Sequence, residues 1–389
     1  MSSTHTYSKK PVLDEHKYAV VSWPRAVWMK VKLKLSPIVI LKEVVLSPFV
    51  ARSKDKSLKR VRGDASFRYL TDALSGAELQ RFMGTSVSVY STWARQHNLP
   101  ILIEELEDGG KLFWVGPKRT EKMLLYCHGG AYIFPCQEFT ISFWRYIQLE
   151  LEKQGMDVGI AIMSYSLVPV AQFPAQVWQT CRALEHLFSV EKVKPSNLQL
   201  VGDSAGGNLV SQVLSVMLHP LFSPPIIPSG TKLRGAYMMS PWVSLTGVGS
   251  SPSVKKLPSF EECNDSDVIS TDSILTWGQT VLAGAASPTL DMPYLDPIRA
   301  PSDWYQGLPN VVERVFVSTG GAECLRDAGR VFFDEKIKPW HEKAEYFEQE
   351  GGVHNDPFFD FQVADGPIGE RQTLTPKILE WVTRGFEFS

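Results

Sequence analysis

Residues 198–209, LQLVGDSAGGNL, constrain the fold more than any other stretch of the chain. The apolar start is typical of a short buried strand, and after Gly207 apolar side chains recur at helical spacing. Between them lies a Gly-x-Ser-x-Gly turn, in which a strained backbone exposes the serine hydroxyl at the end of a sheet. The pattern predicts that Ser204 is a nucleophile; the alternative is an ordinary strand-to-helix turn.

Beyond residue 100 the chain alternates apolar strands with helical segments. A β-hairpin is predicted across Asp108-Gly109-Gly110, and a helix over 174–187. Alternating strands and helices indicate a mostly parallel sheet with helices on both faces. Further strands are predicted at 123–127, 158–165, 198–201, 233–239, 315–318 and 345–348, and further helices at 325–337 and 376–386.

The chain divides into two regions on this pattern. Residues 1–98 are predicted to form a disordered tail, to about residue 16, followed by an N-terminal helical lid. Residues 99–389 are predicted to form the α/β domain. The segment at about 245–310 breaks the alternation and is rich in serine, proline and aspartate, so we expect an insertion that folds over the cleft.

Composition narrows the class of partners. With 40 Lys and Arg against 42 Asp and Glu, the net charge argues against nucleic acid as a partner. The five cysteines show no Cys-x-x-Cys spacing, so neither a zinc site nor a disulfide framework is expected. The polar N-terminus has no apolar segment typical of a signal peptide, which favours an intracellular location, cytoplasmic or peripheral to a membrane. No run of eighteen uncharged apolar residues is present, so no membrane-spanning helix is expected.

Residues 25–62 are strongly basic. They contain eleven basic and two acidic residues, interleaved with apolar ones. Such a segment could contact an anionic membrane surface peripherally. The alternative, which we favour, is a helical lid whose apolar face covers the core and whose lysines are solvated.

A nucleophilic serine needs a base and a third group that orients the base. His354 follows a late strand in a glycine-bearing loop, whereas the other histidines lie in the tail, the Gly129 loop or at helix surfaces and ends. The orienting acid should lie between serine and histidine in chain order. Glu323, in the loop after the 315–318 strand, is preferred; Asp327 and Asp356 are the alternatives.

Acyl transfer also requires N–H donors for the developing oxyanion. The sequence His128-Gly129-Gly130-Ala131-Tyr132 follows the 123–127 strand and lets the backbone approach a ligand closely. We assign the oxyanion hole to the N–H groups of Gly129, Gly130 and Ala205, with Ala131 as a further candidate. His128 is interpreted as a loop anchor.

At these motifs the chain resembles the hormone-sensitive-lipase-like branch of the α/β-hydrolases, and within it the fungal esterases and steryl acetyl hydrolases. The resemblance implies an α/β-hydrolase fold, with Ser204 as nucleophile, Glu323 in the acid position and His354 as base. It also implies a lid built from the N-terminal helices and the insertion. The matching motifs are HGGAY (128–132), YSLVP (165–169), FPAQ (173–176), GDSAGG (202–207), SPW (240–242), ECLRD (323–327) and GGVH (351–354).

Two positions depart from the family pattern. Val170 stands where the family usually has a glutamate, which removes a buried charge near the serine turn and is expected to affect how Asp203 is held. Ala131 replaces the third glycine of the oxyanion loop but keeps its N–H.

The leading hypothesis is a serine carboxylic-ester hydrolase that needs no metal or cofactor. Aromatic residues in the predicted lids favour a hydrophobic small-molecule ester, such as a short-acyl or acetyl ester of a sterol or natural product. One alternative is a fungal pathway enzyme that opens lactones, transfers acyl groups or cyclises. Another is a non-catalytic receptor, against which the presence of His354 argues. The lid aromatics are Trp23, Trp28, Phe49, Trp277, Trp304 and Tyr305.

Overall fold

An eight-stranded sheet forms the centre of the protein in this computed structural model, which describes residues 6–49, 56–250, 256–364, 366–367 and 373–387. The strands are β1 Ile103–Glu105, β2 Lys111–Trp114, β3 Met123–Cys127, β4 Gly159–Ser164, β5 Leu198–Asp203, β6 Gly235–Met239, β7 Val315–Gly320 and β8 Ala344–Gln349. Their order across the sheet is β1-β2-β4-β3-β5-β6-β7-β8. The β1–β2 and β2–β4 pairs are antiparallel and the others parallel, so the predicted mostly parallel sheet is confirmed.

Helices cover both faces of this sheet, which is why every residue of β3, β4, β5 and β6 is buried. One face packs against α6 and α7, through residues such as Val177 and Leu209. The other face packs against α5 and α13, through Ile147 and Trp381. The α-helices of the described residues are α1 Trp23–Leu46, α2 Leu58–Ala73, α3 Gly76–Met83, α4 Ser86–Gln96, α5 Glu138–Lys153, α6 Ala175–Ser189, α7 Ala205–Leu218, α8 Ser259–Glu262, α9 Thr271–Leu282, α10 Pro288–Leu295, α11 Arg326–Phe332, α12 Asp356–Val363 and α13 Leu374–Glu387.

The register of the parallel strands decides which loops meet. Cys127 at the end of β3 pairs with Gly202 of β5, and Asp203 pairs with Met239 at the end of β6. The carboxyl ends of neighbouring parallel strands lie at one edge of a sheet, where open α/β sheets bind ligands. The loops after β3, β5, β7 and β8 therefore share this edge.

The N-terminal segment differs from its prediction. Residues 1–5 of the predicted disordered tail lie outside the described residues. Tyr7, however, forms a bridge with Phe222 and donates a hydrogen bond from its hydroxyl to Asp291. Further on, the Asp14 N–H donates to the carbonyl of Val170. Polar composition did not reveal these contacts because backbone groups and one tyrosine make them with distant parts of the chain.

A buried guanidinium joins the N-terminal helices to the α/β domain. Arg60 of α2 is 5% exposed and forms ion pairs with Asp64 (2.6 Å), Asp356 (2.6 Å) and Asp360 (2.7 Å). Burial alone would raise the pKa of Asp356, but Arg60 lowers it below its usual value. Of the predicted basic segment 25–62, this arginine is thus an internal contact and not part of an exposed basic surface.

The insertion supplies α8, α9 and α10 between β6 and β7, of which α9 lies over the carboxyl edge of the sheet through Ile274 and Trp277. None of the described helices combines the length and the apolar character needed to cross a bilayer.

Replacing Arg60 with alanine should destabilise the protein by about 3–5 kcal/mol, because the buried carboxylates of Asp356 and Asp360 then lose this cation, whereas Asp64 keeps its ion pair with Lys56. Urea unfolding followed by circular dichroism measures the change. Arg62→Ala is the matched control, since Arg62 is exposed on the same helix and should change stability by less than about 0.5 kcal/mol. Equal losses in the two variants would contradict the structural role of Arg60.

Candidate active site

The backbone of the serine turn is held in a conformation that few residues adopt. Ser204 lies between β5 and α7 with φ 51° and ψ −119°. A Cβ at Gly202 would lie 2.3 Å from the carbonyl oxygen of Gly206, and one at Gly206 would lie 1.9 Å from that of Cys127. Neither position can therefore carry a side chain without moving the backbone. Close packing of the backbone therefore explains why the sequence motif has glycine at both positions.

The carboxylate of Asp203, directly before this serine, joins the end of β3, the loop after β3 and the loop after β8. Its Oδ1 accepts hydrogen bonds from the Tyr126 hydroxyl (2.6 Å) and the Gly129 N–H (2.8 Å). Its Oδ2 accepts one from the side-chain amide of Asn355 (2.7 Å). Burial raises the pKa of Asp203 to about 6. The end of β3, the loop after it and the loop after β8 are thus fixed relative to Ser204.

The predicted base and acid lie together. His354 Nδ1 is 3.2 Å from Glu323 Oε2, and both side chains are buried. Burial raises the pKa of Glu323 to about 8 and lowers that of His354, since both charged forms lose hydration. The lowered pKa keeps the imidazole neutral at pH 7, the form that can accept a proton.

The two alternative acids have other partners. Asp327 Oδ2 accepts the Ser259 N–H at 2.8 Å, and its Oδ1 lies 2.9 Å from Arg326 Nε. Asp356 pairs with Arg60 and accepts a hydrogen bond from the Gln349 side chain at 2.6 Å. Of the three carboxylates considered from sequence, the structure brings Glu323 against the imidazole.

Ser204 and His354 line one narrow cavity of about 60 Å³. In the described part of the chain, the hydrogen bond of the His354 ring is to Glu323 and not to Ser204; contacts between a base and a nucleophile are often loose before substrate binds. The cavity walls are mainly apolar. They come from α2, α5, α9 and α12 and from the loops after β3, after β7 and before α9, and include Phe67, Phe134, Phe139, Ile269, Ile274, Trp277, Leu325, Phe358 and Phe359.

The oxyanion loop bears on one prediction. The Gly129 N–H, which the sequence assigns to an oxyanion hole, donates to Asp203 Oδ1 at 2.8 Å and so already has an acceptor within the protein. A Cβ at Gly129 would lie 2.2 Å from Asp203 Oδ2. This position is a glycine because the carboxylate approaches its backbone too closely for any side chain. Among the described residues, the N–H groups of Gly130 and Ala131 have no acceptor, and both residues have positive φ (103° and 54°). The Ala205 N–H lies in the first turn of α7, where N–H groups have no partner within the helix.

His128 is an anchor for this loop, as its position suggested. Its Nδ1 lies 2.7 Å from the Gly129 carbonyl oxygen, and its ring stacks on Tyr165 with centroids 4.4 Å apart. The Tyr165 hydroxyl donates to the His128 carbonyl at 2.6 Å. Burial lowers the pKa of His128 to about 4, so this imidazole is neutral at pH 7.

Sequence reasoning missed Asp267, a buried carboxylate in the loop between α8 and α9. Its Oδ1 accepts the backbone N–H of His354 at 2.9 Å, and its Oδ2 accepts that of Cys324 at 2.8 Å. Cys324 directly follows Glu323, so one carboxylate of the insertion positions the loops of both the predicted base and the predicted acid. No motif marked it, because an aspartate in a polar loop is typical of a turn.

Two other expectations change with the structure. The donors to Asp203 do not include residue 170, and Val170 contacts the N-terminal segment instead. Of the predicted lid aromatics, Trp277 lines the cavity. The others do not: Trp23, Trp28 and Phe49 are exposed, Trp304 stacks on His219, and Tyr305 is buried beside Phe332.

The fold and this serine-centred edge define a class of protein. Residues 124–357 match the sequence model of the α/β hydrolase fold family. The chain belongs to the α/β hydrolase fold family.

Particular relatives and solved structures add detail. Over 249 residues the chain is 22% identical to "Probable carboxylesterase 2" of Arabidopsis thaliana, which covers 62% of this chain and 71% of that protein. Over 109 residues it is 29% identical to "Neutral cholesterol ester hydrolase 1" of Mus musculus, and this match spans only 26% of the length of each protein. The match to the rat protein of the same name likewise spans 25% of its length.

Solved structures agree on the fold. An esterase from the bacterial hormone-sensitive lipase family superposes with a TM-score of 0.63 at 22% identity, covering 85% of this chain and 99% of that chain. A hormone-sensitive lipase from a metagenome library superposes with a TM-score of 0.61 at 17% identity, covering 82% and 95%. The predicted α/β-hydrolase fold is therefore confirmed.

The imidazole of His354 should titrate below its usual pKa of 6.5, because burial disfavours the imidazolium. Asp267→Asn should lower this pKa further, since the negative charge of Asp267 favours the imidazolium. NMR of the labelled imidazole measures both values. Asp265→Asn, an exposed residue of the same loop, should leave the pKa unchanged. A higher pKa in the Asp267 variant would contradict this electrostatic account.

Proposed function

We propose that the protein is a serine carboxylic-ester hydrolase that acts through Ser204, His354 and Glu323. The observation that carries the proposal is the placement of the Ser204 hydroxyl, at a strained turn, in the same cavity as an imidazole whose other nitrogen contacts a buried carboxylate. A carboxylesterase among the relatives and ester hydrolases among the superposed structures support the reaction class.

His354 Nε2 takes the proton of Ser204 while the serine oxygen attacks the ester carbonyl. The tetrahedral intermediate collapses as the imidazolium returns that proton to the departing alcohol, which leaves an acyl-serine. His354 then takes a proton from water as the water oxygen attacks the acyl carbon. The bond between that carbon and the Ser204 oxygen breaks, the imidazolium returns the proton to Ser204, and the acid is released. Glu323 orients the ring through Nδ1 and stabilises the imidazolium. The raised pKa of Glu323 lowers its charge in the resting site, and the developing imidazolium favours its ionised form.

We assign oxyanion stabilisation to the N–H groups of Gly130, Ala131 and Ala205. The first two lack acceptors among the described residues, and the third belongs to the first turn of α7. Such preorganised donors typically contribute about 3–4 kcal/mol each to catalysis. The Gly129 N–H has a different task, because its hydrogen bond to Asp203 holds the loop in place.

The cavity favours an ester with a small acyl group and a hydrophobic alcohol. A volume of about 60 Å³ holds only a few water-sized spheres. Trp277 lines both this cavity and a larger cleft of about 750 Å³ between α2, α3 and α9. An acetyl or other short-chain ester of a sterol or natural product fits this pair of spaces, with the acyl group in the narrow cavity and the alcohol in the larger cleft. The motif resemblance to fungal steryl acetyl hydrolases and the name of the mouse and rat relatives support the same class.

Ser204→Ala should lower kcat for the hydrolysis of p-nitrophenyl acetate by about 10⁶-fold, because no acyl-enzyme can form. Turnover and labelling by a fluorophosphonate measure the loss. Ser189→Ala, at an exposed helical serine, is the control and should retain full activity. A folded wild type that does not hydrolyse any ester from acetate to octanoate would overturn the proposal. Transfer of the acyl group to an alcohol in place of water would instead identify an acyltransferase.

Glu323→Gln should lower kcat by about 10³- to 10⁴-fold, because an amide cannot stabilise the imidazolium. Asp327→Asn is the matched control, and it should lower kcat much less, because the Asp327 carboxylate contacts Ser259 and Arg326 and not His354. Steady-state kinetics at pH 8 separate the two. If Asp327→Asn were the more damaging change in two equally stable variants, the acid would be misassigned.

Trp277→Ala should join the narrow cavity to the neighbouring cleft and relax the preference for short acyl groups. The ratio of kcat/KM for p-nitrophenyl octanoate to that for the acetate is expected to rise about tenfold. Trp340→Ala provides the control, because the Trp340 indole donates to Ser302 away from the cavity. An unchanged ratio would show that Trp277 does not limit acyl length.

A further inference from the structure

Helix α1 exposes apolar side chains along most of its length. Trp28 is 58% exposed and Ile38 is 67% exposed, values far from those of core residues. The exposed apolar residues follow helical spacing, so they form one stripe along the helix. We call this stripe the outer face of α1; it consists of Trp28, Val31, Leu35, Ile38 and Val45.

The opposite side of α1 already has a partner. Met29 is buried in the core. The Tyr69 hydroxyl of α2 donates to the carbonyl of Lys32, and Lys32 Nζ donates to the carbonyl of Ala73 at the end of α2. Helix α1 therefore already packs against the core with its other side, and the outer face is an additional apolar surface. A 24-residue helix of about 36 Å is held by one side and presents a second apolar side.

The charges of α1 favour an anionic surface over a second copy of the helix as the partner of this face. The helix contains five basic residues and one acidic residue; Lys30 and Lys34 are exposed beside the stripe, and Lys42 is exposed within it, between Ile38 and Val45. A second copy of α1 laid on this face would bring lysines against lysines, which is unfavourable. An anionic surface would attract the same lysines while the apolar stripe is buried.

We propose that the outer face of α1 binds the surface of an anionic phospholipid bilayer. In this proposal the helix lies in the plane of the interface. Apolar side chains enter the acyl boundary and the flanking lysines contact lipid headgroups. The binding does not depend on the proposed hydrolase activity, because it involves none of the residues that line the cavity.

The location of α1 gives this binding a consequence. The helix packs against α2, and Phe67 of α2 lines the cavity that contains Ser204. Docking of α1 would bring that wall of the cavity near lipid, where hydrophobic esters partition. This consequence rests on the proposed function, whereas the binding itself does not.

Vesicle co-sedimentation of the full chain tests the proposal. The wild type should bind phosphatidylcholine vesicles that contain phosphatidylserine, bind pure phosphatidylcholine vesicles more weakly, and lose binding between about 0.05 M and about 0.5 M salt. Replacing Trp28, Leu35 and Ile38 together with serine should lower the partition coefficient about tenfold or more. Replacing Lys30, Lys34 and Lys42 together with glutamine should remove the preference for phosphatidylserine.

A double control, Leu149→Ser with Val190→Ser, removes exposed apolar residues elsewhere and should leave binding unchanged. Circular dichroism establishes that each variant is folded without reference to activity. Absence of binding at low salt, or equal binding by the serine variant, would overturn the proposal. So would a wild-type dimer in light scattering that the serine variant dissociates, since a second copy would then cover the face.

Discussion

The carboxylate of Asp203 is the interaction on which the candidate site depends. It accepts hydrogen bonds from β3, from the loop after β3 and from the loop after β8, and it directly precedes Ser204. Buried and desolvated, it would be costly to leave unpaired, so its three donors fix each other's positions. The serine, the oxyanion loop and the loop of His354 are thus linked by one side chain that takes no part in the proposed proton transfers.

The insertion and the N-terminal helices also hold the loops of the candidate site in place through buried charged side chains. Asp267 binds the backbone of the loops that contain His354 and Glu323. Arg60 binds Asp356 and Asp360, on the helix that follows His354. Both added regions therefore contact the same edge of the sheet, the one that contains the candidate site, through buried charges, in addition to contributing the apolar walls of Phe67 and Trp277. We infer that the additions to the sheet position the site as well as cover it.

Sequence patterns did not predict hydrogen bonds between groups that are far apart in the chain. The Gly129 N–H was expected to face an oxyanion, but it donates to a residue 74 positions away. Asp267 was overlooked, and its partners lie 57 and 87 positions further along the chain. The aromatic residues of the predicted lids were treated as one group, yet three of them are exposed and only Trp277 reaches the cavity.

The sequence by itself determined the elements and their chemistry. Strand and helix periodicity predicted the sheet, and glycines at 202 and 206 marked a turn whose backbone leaves no room for a Cβ. The order of serine, acid and histidine indicated which side chains to expect at its edge. These signals are local, since each depends on neighbours along the chain. The loop position favoured Glu323 over Asp327 and Asp356, and the tertiary structure shows the contact of Glu323 with His354. Tertiary structure alone decided which N–H groups remain available. The reason is that hydrogen bonding and burial depend on strand register and on packing between distant segments, which no local pattern encodes.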